Sequence, residues 1–357
     1  MTAAGAHSLG RMHSPLLDTP GAVPADPGGP DAGVAAHYGD PFAEQRAAEG
    51  GLALVDRSHR GVIRITGPDR LSWLHSLTTQ DTEHLPPGRT AEALILSPSG
   101  HVEHHLVLTD DGTALWAHVE PGTAGPLLEF LESMRFMLRV EPADVTADYA
   151  VLTLMGPSAE PGLAGEAAAA STRALGLDLI VARDRLAATA AAQAARGAAP
   201  AGIWAYEALR IAARRPRFGL DTDHRTIPHE VGWIGTAVQL SKGCYRGQET
   251  VARVHNLGHP PRRLVFLHLD GSEDRLPAHG DPVTLDGAAV GFLGSAARHY
   301  ELGPIALALV KRTVPVGAPL AAAGLPAAQE VIVPPDAGAN VTVTLRRPRG
   351  DALRARE

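Results

Sequence analysis

LSKGCYRGQETVARVHNLG, residues 240–258, is the stretch on which the reading of this chain turns. Gly243 and Gly247 bracket a tight turn, because glycine adopts backbone conformations closed to other residues. A helix is predicted from Gln248, where Val251, Val254 and Leu257 fall at helical spacing. Cys244 then stands just ahead of a helix N-terminus, flanked by Lys242 and Arg246, with Arg253 two turns on. Positive charge and a helix N-terminus both favour thiolate over thiol. Glycine neighbours leave the sulfur open to a partner. Spacing alone keeps a second reading open: a small buried cysteine beside a glycine turn.

Cys244 is the only cysteine in 357 residues, so no disulfide forms within the chain. A cysteine-built zinc cage or iron–sulfur cluster within one chain is likewise excluded, and a reducing, cytoplasmic setting is expected. Lys and Arg number 32 against 39 Asp and Glu, a net charge of −7, which argues against a dominant nucleic-acid or membrane-surface role. With 45% hydrophobic and 20% charged residues the chain reads as globular, and with 4% aromatics its core must be mostly aliphatic. At roughly 150 residues per domain, two or three domains are expected. The N-terminus lacks the apolar run of a secretory signal, and no stretch of about 18 apolar residues points to a membrane span.

Outward from the motif, residues 1–37 are rich in Pro, Gly, Ala and Asp and read as a disordered leader. PFAEQRAAEG (41–50) reads as a helix between Pro41 and Gly51, GVIRIT (61–66) as a strand and DRLSWLHSLTTQD (69–81) as a helix. Residues 90–120 alternate as a meander, with turns at Ser97–Gly100 and Asp110–Gly112. PLLEFLESMRFML (126–138) is predicted as a helix with Leu127, Leu128, Leu131, Met134 and Leu138 on one face, and DYAVLTLMGP (148–157) as a strand. Residues 159–200 read as a helix and strand followed by an alanine-rich linker, and AYEALRIAARRPRFG (205–219) as a helix up to Arg215. Short strands between Gly/Pro turns, ending with NVTVTL (340–345), predict a C-terminal β-barrel over 260–346 and a tail over 347–357. The class is α+β. Residues 38–259 are divided into one subdomain of 38–90 plus 201–259 and another of 91–200.

Lys242-Gly243-Cys244-Tyr245-Arg246-Gly247-Gln248-Glu249 resembles the defining motif of the YgfZ-type folate-binding proteins, relatives of the glycine cleavage system aminomethyltransferase, the T protein. VDRSHRGVIRITGPDRLSWLHSLTTQD (55–81), LSPSGHVEHHLVL (96–108) and LRIAARRPRFGLDTDHRTIPHEVGW (209–233) are similar to further stretches of that family. The resemblance implies an aminomethyltransferase-like folate-binding fold, with two intertwined N-terminal α/β domains and a C-terminal antiparallel barrel around a folate-sized channel. It implies tetrahydrofolate, or a one-carbon derivative, as ligand. It also implies iron–sulfur client proteins, including tRNA-modifying enzymes, as partners. Cys244 carries over as the functional residue, with Lys242, Gln248 and Glu249 shaping its turn. Tyr206 matches an aromatic position that stacks folate, and Arg60 falls where another such aromatic would stand. A monomer without nucleic-acid or membrane partners is expected.

Two departures bear on activity. The T protein's hairpin G-x-V-x-D-D supplies a catalytic Asp, whereas this chain reads Gly100-His101-Val102-Glu103-His104-His105. Histidine does not replace a carboxylate that must stay anionic beside a cationic centre. Classical aminomethyl transfer is therefore not expected; a folate-dependent one-carbon transferase would need Glu103, and a client-docking scaffold without a ligand is a third reading. In the central helix, family members often carry L-x-I-E-A-G; here Leu209-Arg210-Ile211-Ala212-Ala213-Arg214 lacks the Glu.

Polar lining or surface is the preferred reading of the histidines. In a regular strand His101 and His105 share a face with Glu103 while His104 points away, which brings too few ligands together for a metal site. His229-Glu230 beside Pro228 is a channel-facing candidate, with Glu230 a folate contact. Arg210, Arg214, Arg215, Arg217 and Arg225 form the basic concentration; Arg forks match the carboxylates of a glutamate tail, Arg210 foremost, although a solvated helix face gives the same pattern. Trp73, Trp116, Trp204 and Trp233 are expected in cores or interfaces. No phosphate-binding loop, dinucleotide fingerprint or HExxH occurs.

Overall fold

The computed structural model describes residues 13–340. The first of two five-stranded sheets has the spatial order Thr90–Leu96, Val102–Asp110, Ala114–Val119, Gly61–Thr66, Glu141–Asp144. Alternation along Gly61–Thr66 sends Ile63 and Ile65 into a core roofed by the helices Arg70–Leu77 and Ala124–Ser133, and Val62 to the other face. There Val62 and Trp116 meet Val151, Ala169 and Ile180 of the second sheet, which locks the two sheets face to face. That second sheet runs Ala169–Arg173, Gly176–Ala182, Tyr149–Met155, Ala53–Asp56, Ala199–Ala201. Its last pair is parallel and its others antiparallel.

The C-terminal strands close an antiparallel barrel in the order Arg262–Leu269, Gly303–Lys311, Ala288–His299, Pro282–Leu285, Leu320–Ala322, Leu325–Val331. The helix Ile203–Ala212 is buried between sheet and barrel. Tyr206 and Leu209 pack toward the second sheet, and Ala208 and Ile211 toward Phe266, Leu307 and Leu309. Two α/β layers plus a barrel is the architecture the sequence predicts.

Several boundaries differ. The division into 38–90 plus 201–259 and 91–200 does not follow the sheets. One sheet takes its strands from within 61–144, while the other combines 53–56 with 149–201. Where a disordered leader is predicted, residues 13–37 form a 3-10 turn Pro15–Asp18 and strands Val23–Pro24 and Ala35–His37; residues 1–12 lie outside the described residues. Small side chains, too few to order an isolated segment, suffice against a preformed surface. Ala25, Val34 and Ala36 join the core around Tyr206 and Leu209.

The alanine-rich linker is the helix Leu186–Ala195, as the strong helix propensity of alanine allows once Leu186 and Ala190 find a core. The helix predicted from Pro126 to Leu138 runs instead from Ala124 to Ser133, and beyond it Phe136 turns to φ 40°. Met134 and Leu138 are therefore exposed rather than on the buried face. Ile203–Ala212 ends short of Arg215, where Arg214 adopts φ 56°. The strand expected at 340–345 and the tail at 347–357 fall almost wholly outside the described residues.

Candidate functional site

Both sheets, the helix Ile203–Ala212 and the loop after it converge on a cavity of about 190 Å³. Five of the sheet strands contribute to its lining. Glu92 and His105 come from the first sheet, Thr153, Arg173 and Asp178 from the second, and Tyr206 and Arg210 from the helix. Trp233 and Arg214–Phe218 complete the wall.

Burying this many charges is tolerable only if each is paired. Glu120 accepts from Arg60 Nη1 at 2.5 Å and from Arg217 Nε at 2.8 Å. Burial opposes its charge, but Arg217 and Arg60 outweigh burial and hold its carboxyl well below the usual carboxylate range. Arg60 Nε also donates to His118 Nδ1 at 2.9 Å. His118 is fully buried, which presses its pKa to about 3 against the pull of Asp178. The ring is thus neutral with its proton on Nε2, 3.0 Å from Asp178 Oδ2. Arg57 Nη1 donates to Asp178 Oδ1 at 3.1 Å, and its guanidinium lies 4.3 Å above the Tyr206 ring.

Glu92 forms a second knot. His105 Nε2 lies 3.2 Å from Glu92 Oε2, and Arg173 and Arg215 each donate to Oε1 at 2.9 Å. Burial pushes the Glu92 carboxyl up, but the His105 bond and Arg173 prevail and keep it anionic. The His105 ring stacks on Trp233 with centroids 5.0 Å apart and planes 7° from parallel. Aromatic rings, guanidinium donors and ionised carboxylates thus meet in one cavity.

Residues 39–175 match the GCVT N-terminal domain, and residues 262–347 the glycine cleavage T-protein C-terminal barrel domain. An aminomethyltransferase of Rubrobacter xylanophilus is 30% identical over 287 residues, covering 73% of this chain and 76% of that protein. The chain belongs to the aminomethyltransferase family. An aminomethyltransferase of Symbiobacterium thermophilum is 28% identical over 291 residues, 71% of this chain and 76% of its own length. A chloroplastic protein of Arabidopsis thaliana named as a transferase is 27% identical over 310 residues, 76% of this chain and 69% of its own. The solved glycine cleavage system aminomethyltransferase T from Bartonella henselae superposes with a TM-score of 0.71 at 18% identity, over 90% of this chain and 96% of that one, so it shares the fold.

This aminomethyltransferase relative gathers some of the expected residues and scatters others. Tyr206, Arg60 and Arg210 line the cavity, as do Arg214, Arg215 and Arg217. Arg60 is committed to Glu120 and His118, and it is Arg57, absent from the sequence reading, that stacks on Tyr206. Arg225 is exposed. Glu230 is fully buried but lies outside the cavity, where it accepts from Arg262 and the Ile227 N–H to anchor the barrel. Ala212 packs beside the core shared with the barrel. Trp73, Trp116 and Trp233 are buried as expected, whereas Trp204 is 54% exposed and faces His37.

The hairpin also differs from a regular strand. Leu96 pairs with Val102 but Ile95 with His104, so Glu103 bulges out. Glu103 meets Arg246 on the surface, and the carboxylate that lines the cavity beside His105 is Glu92. Its place one strand away, outside any local motif, hid it from the sequence. Among the described residues no group of three or more His, Cys, Asp or Glu is placed to hold a metal ion.

Cys244 is exposed and does not line the cavity. Its turn is nonetheless fixed. Lys242 Nζ donates to the carbonyls of His75 and Thr78, capping the C-terminus of Arg70–Leu77. Tyr245 is buried in the core beside Trp233. Gly247 sits at φ 80°, where a Cβ would stand 2.5 Å from the Ser97 carbonyl oxygen, and the helix Gln248–Leu257 follows. Gln248 is half-buried and Glu249 exposed, and neither lines the cavity.

Proposed function

We propose that the chain is a tetrahydrofolate-binding protein whose Cys244 supports the assembly or repair of iron–sulfur enzymes in a reducing, cytoplasmic compartment. The observation that carries this reading is the cavity, whose aromatic faces at Tyr206 and Trp233 and dense guanidinium lining match a heteroaromatic ligand with a carboxylate tail. Tyr206 and Trp233 would hold the ring system, and Arg214 and Arg215, the more exposed wall arginines, would meet the carboxylates. Cys244 is open to a protein partner outside the cavity, in a turn held from both sides. Folate, when bound, supplies a carrier for a one-carbon unit; the chain supplies a charge-paired cradle and a reachable thiol. Calorimetric titration with tetrahydrofolate tests the ligand: binding is expected in the wild type and much weaker in Tyr206→Ala, and no binding to wild type ends the folate reading. A Cys244→Ala replacement in the cell tests the thiol, with tRNA methylthiolation under oxidative stress as readout. Unchanged activity removes Cys244 from the mechanism.

A second reading, folate-dependent one-carbon transfer, draws on Glu92, an ionised carboxylate in the cavity with a histidine partner. Turnover of an aminomethyl donor that Glu92→Gln abolishes would favour it.

A further inference from the structure

The segment 13–37 does not line the cavity but packs behind its wall, against Tyr206 and Arg217. Ala25, Val34 and Ala36 pack in one core with Tyr206, and the Ala36 carbonyl lies so close to Gly202 that a side chain there would overlap it. Between the two strands of this arm, Asp31 reaches inward. It accepts from Arg217 Nη2 at 2.8 Å and Nη1 at 3.2 Å, and lies 2.9 Å from His59 Nε2. Burial opposes its charge, yet the His59 hydrogen bond and Arg217 keep the carboxyl far below its usual range.

Arg217 is the cavity residue that Asp31 touches. It already has Glu120 at 2.8 Å and Glu207 at 3.4 Å, and its backbone N–H donates to Asp221. Three carboxylates around one guanidinium leave little positive charge for a ligand. Glu120 also serves Arg60, and Glu207 also serves Arg210, whereas the arginine partner of Asp31 is Arg217.

We propose that Asp31 is a specificity-determining residue of the cavity, one that sets how much of the Arg217 charge is left for a carboxylate-bearing ligand. The inference rests on the folate reading for its first readout. Removing one unit of charge about 10 Å from a ligand carboxylate, at an effective dielectric of about 20, changes affinity roughly tenfold. Asp31→Asn keeps the size and the acceptor oxygen facing Arg217 Nη2 and His59 but gives up the bond from Arg217 Nη1, so a thermal melt accompanies each titration to show that the arm is still seated.

The experiment titrates the full chain with tetrahydrofolate and with 6-methyltetrahydropterin, which has the ring but no glutamate tail. Asp31→Asn is expected to bind tetrahydrofolate roughly tenfold more tightly than the wild type, with less than a twofold change for the pterin, and Asp31→Glu to restore wild-type selectivity. Equal affinities in wild type and Asp31→Asn, or parallel shifts for both ligands, overturn the proposal. A second readout needs no folate. In a Trp204→Phe background, iodide is expected to quench tryptophan emission more strongly in Asp31→Asn than in Asp31, with neutral acrylamide quenching both alike. Wild-type protein that binds neither ligand defeats the folate reading alone, and iodide quenching that does not change defeats this one.

Discussion

Glu120→Gln probes the charge-paired wall directly. The wild-type carboxylate receives two charge-assisted hydrogen bonds, 2.5 Å from Arg60 and 2.8 Å from Arg217, at a side chain that is 11% exposed. Glutamine keeps one acceptor, but turns its amide N–H₂ toward the other guanidinium and removes the countercharge of both. Breaking a buried pair costs about 3–5 kcal/mol, and the surviving bond returns about 1.5 kcal/mol, leaving a loss of about 1.5–3.5 kcal/mol. For folding units of this size that is a fall in melting temperature of roughly 5–10 °C.

The pH dependence separates this cause from a packing defect. The Glu120 pKa is depressed on folding, so its contribution is complete above the ordinary carboxyl value of 4.5 and is lost as pH falls toward the folded value. The gap between wild type and variant should be full at pH 7 and narrow steadily below about pH 4.5. Thermal melts followed by circular dichroism at pH 7, 5, 4 and 3.5 measure it. A gap under 1 °C at pH 7, or one that stays constant on acidification, would refute the idea that ion pairing holds this wall.

Gly247→Ala should cost about 2 kcal/mol or more, since the position combines a φ of 80° with backbone oxygen 2.5 Å from the new Cβ; an unchanged melt would show that the turn yields. Lys242→Met removes the cap on Arg70–Leu77 and should lower stability by about 1–3 kcal/mol at pH 7. Because burial presses the Lys242 pKa from 10.5 to about 8, wild-type stability should gain on raising the pH through that window as the buried charge is relieved, and the Met variant should lack the gain in denaturant titrations at pH 7.5 and 9.5. Glu103→Gln should leave tetrahydrofolate affinity within twofold, because Glu103 pairs with Arg246 at the surface; a loss of fivefold or more would move the site to the hairpin bulge.

What could be read from the sequence was whatever local rules govern. Ile63 and Ile65 alternating with Val62, glycines at forced backbone angles and the helix after Gly247 all follow from neighbours in the chain. Residues 13–37 and 186–195 were misread because their order comes from tertiary partners: alanines that look featureless in sequence fit against Tyr206 or under the second sheet. Tyr206 was legible through the family resemblance and Arg210 through the concentration of arginines in and after its helix. Glu92, Arg57, Arg173 and Glu120 were not, since they come from four different strands or loops and acquire meaning only through their ion pairs. Glu103 misled for a related reason. A one-residue bulge reverses which side chains of a strand share a face, and nothing in GHVEHHLVL announces one.

The proposed function assigns roles to both Cys244 and the cavity, which lie apart, and the hairpin of strands Thr90–Leu96 and Val102–Asp110 connects them physically. At one end its strands place Glu92 and His105 in the cavity wall, with His105 stacked on Trp233. At the other, its turn is wedged against the motif: a Cβ on Gly100 would lie 2.8 Å from Thr250 Cβ, and one on Gly247 would meet Ser97. Between the two ends Leu94, Leu96 and Val102 share a core with Trp233, Tyr245 and Val251. Close-packed interiors transmit displacement rather than absorb it, so a shift of His105 or Trp233 would bear on the backbone that presents the thiol. The glycines at 100 and 247 then have a joint role. They let hairpin and motif approach closely, and this contact joins the KGCYRGQE turn to the strands that line a cavity its cysteine does not enter.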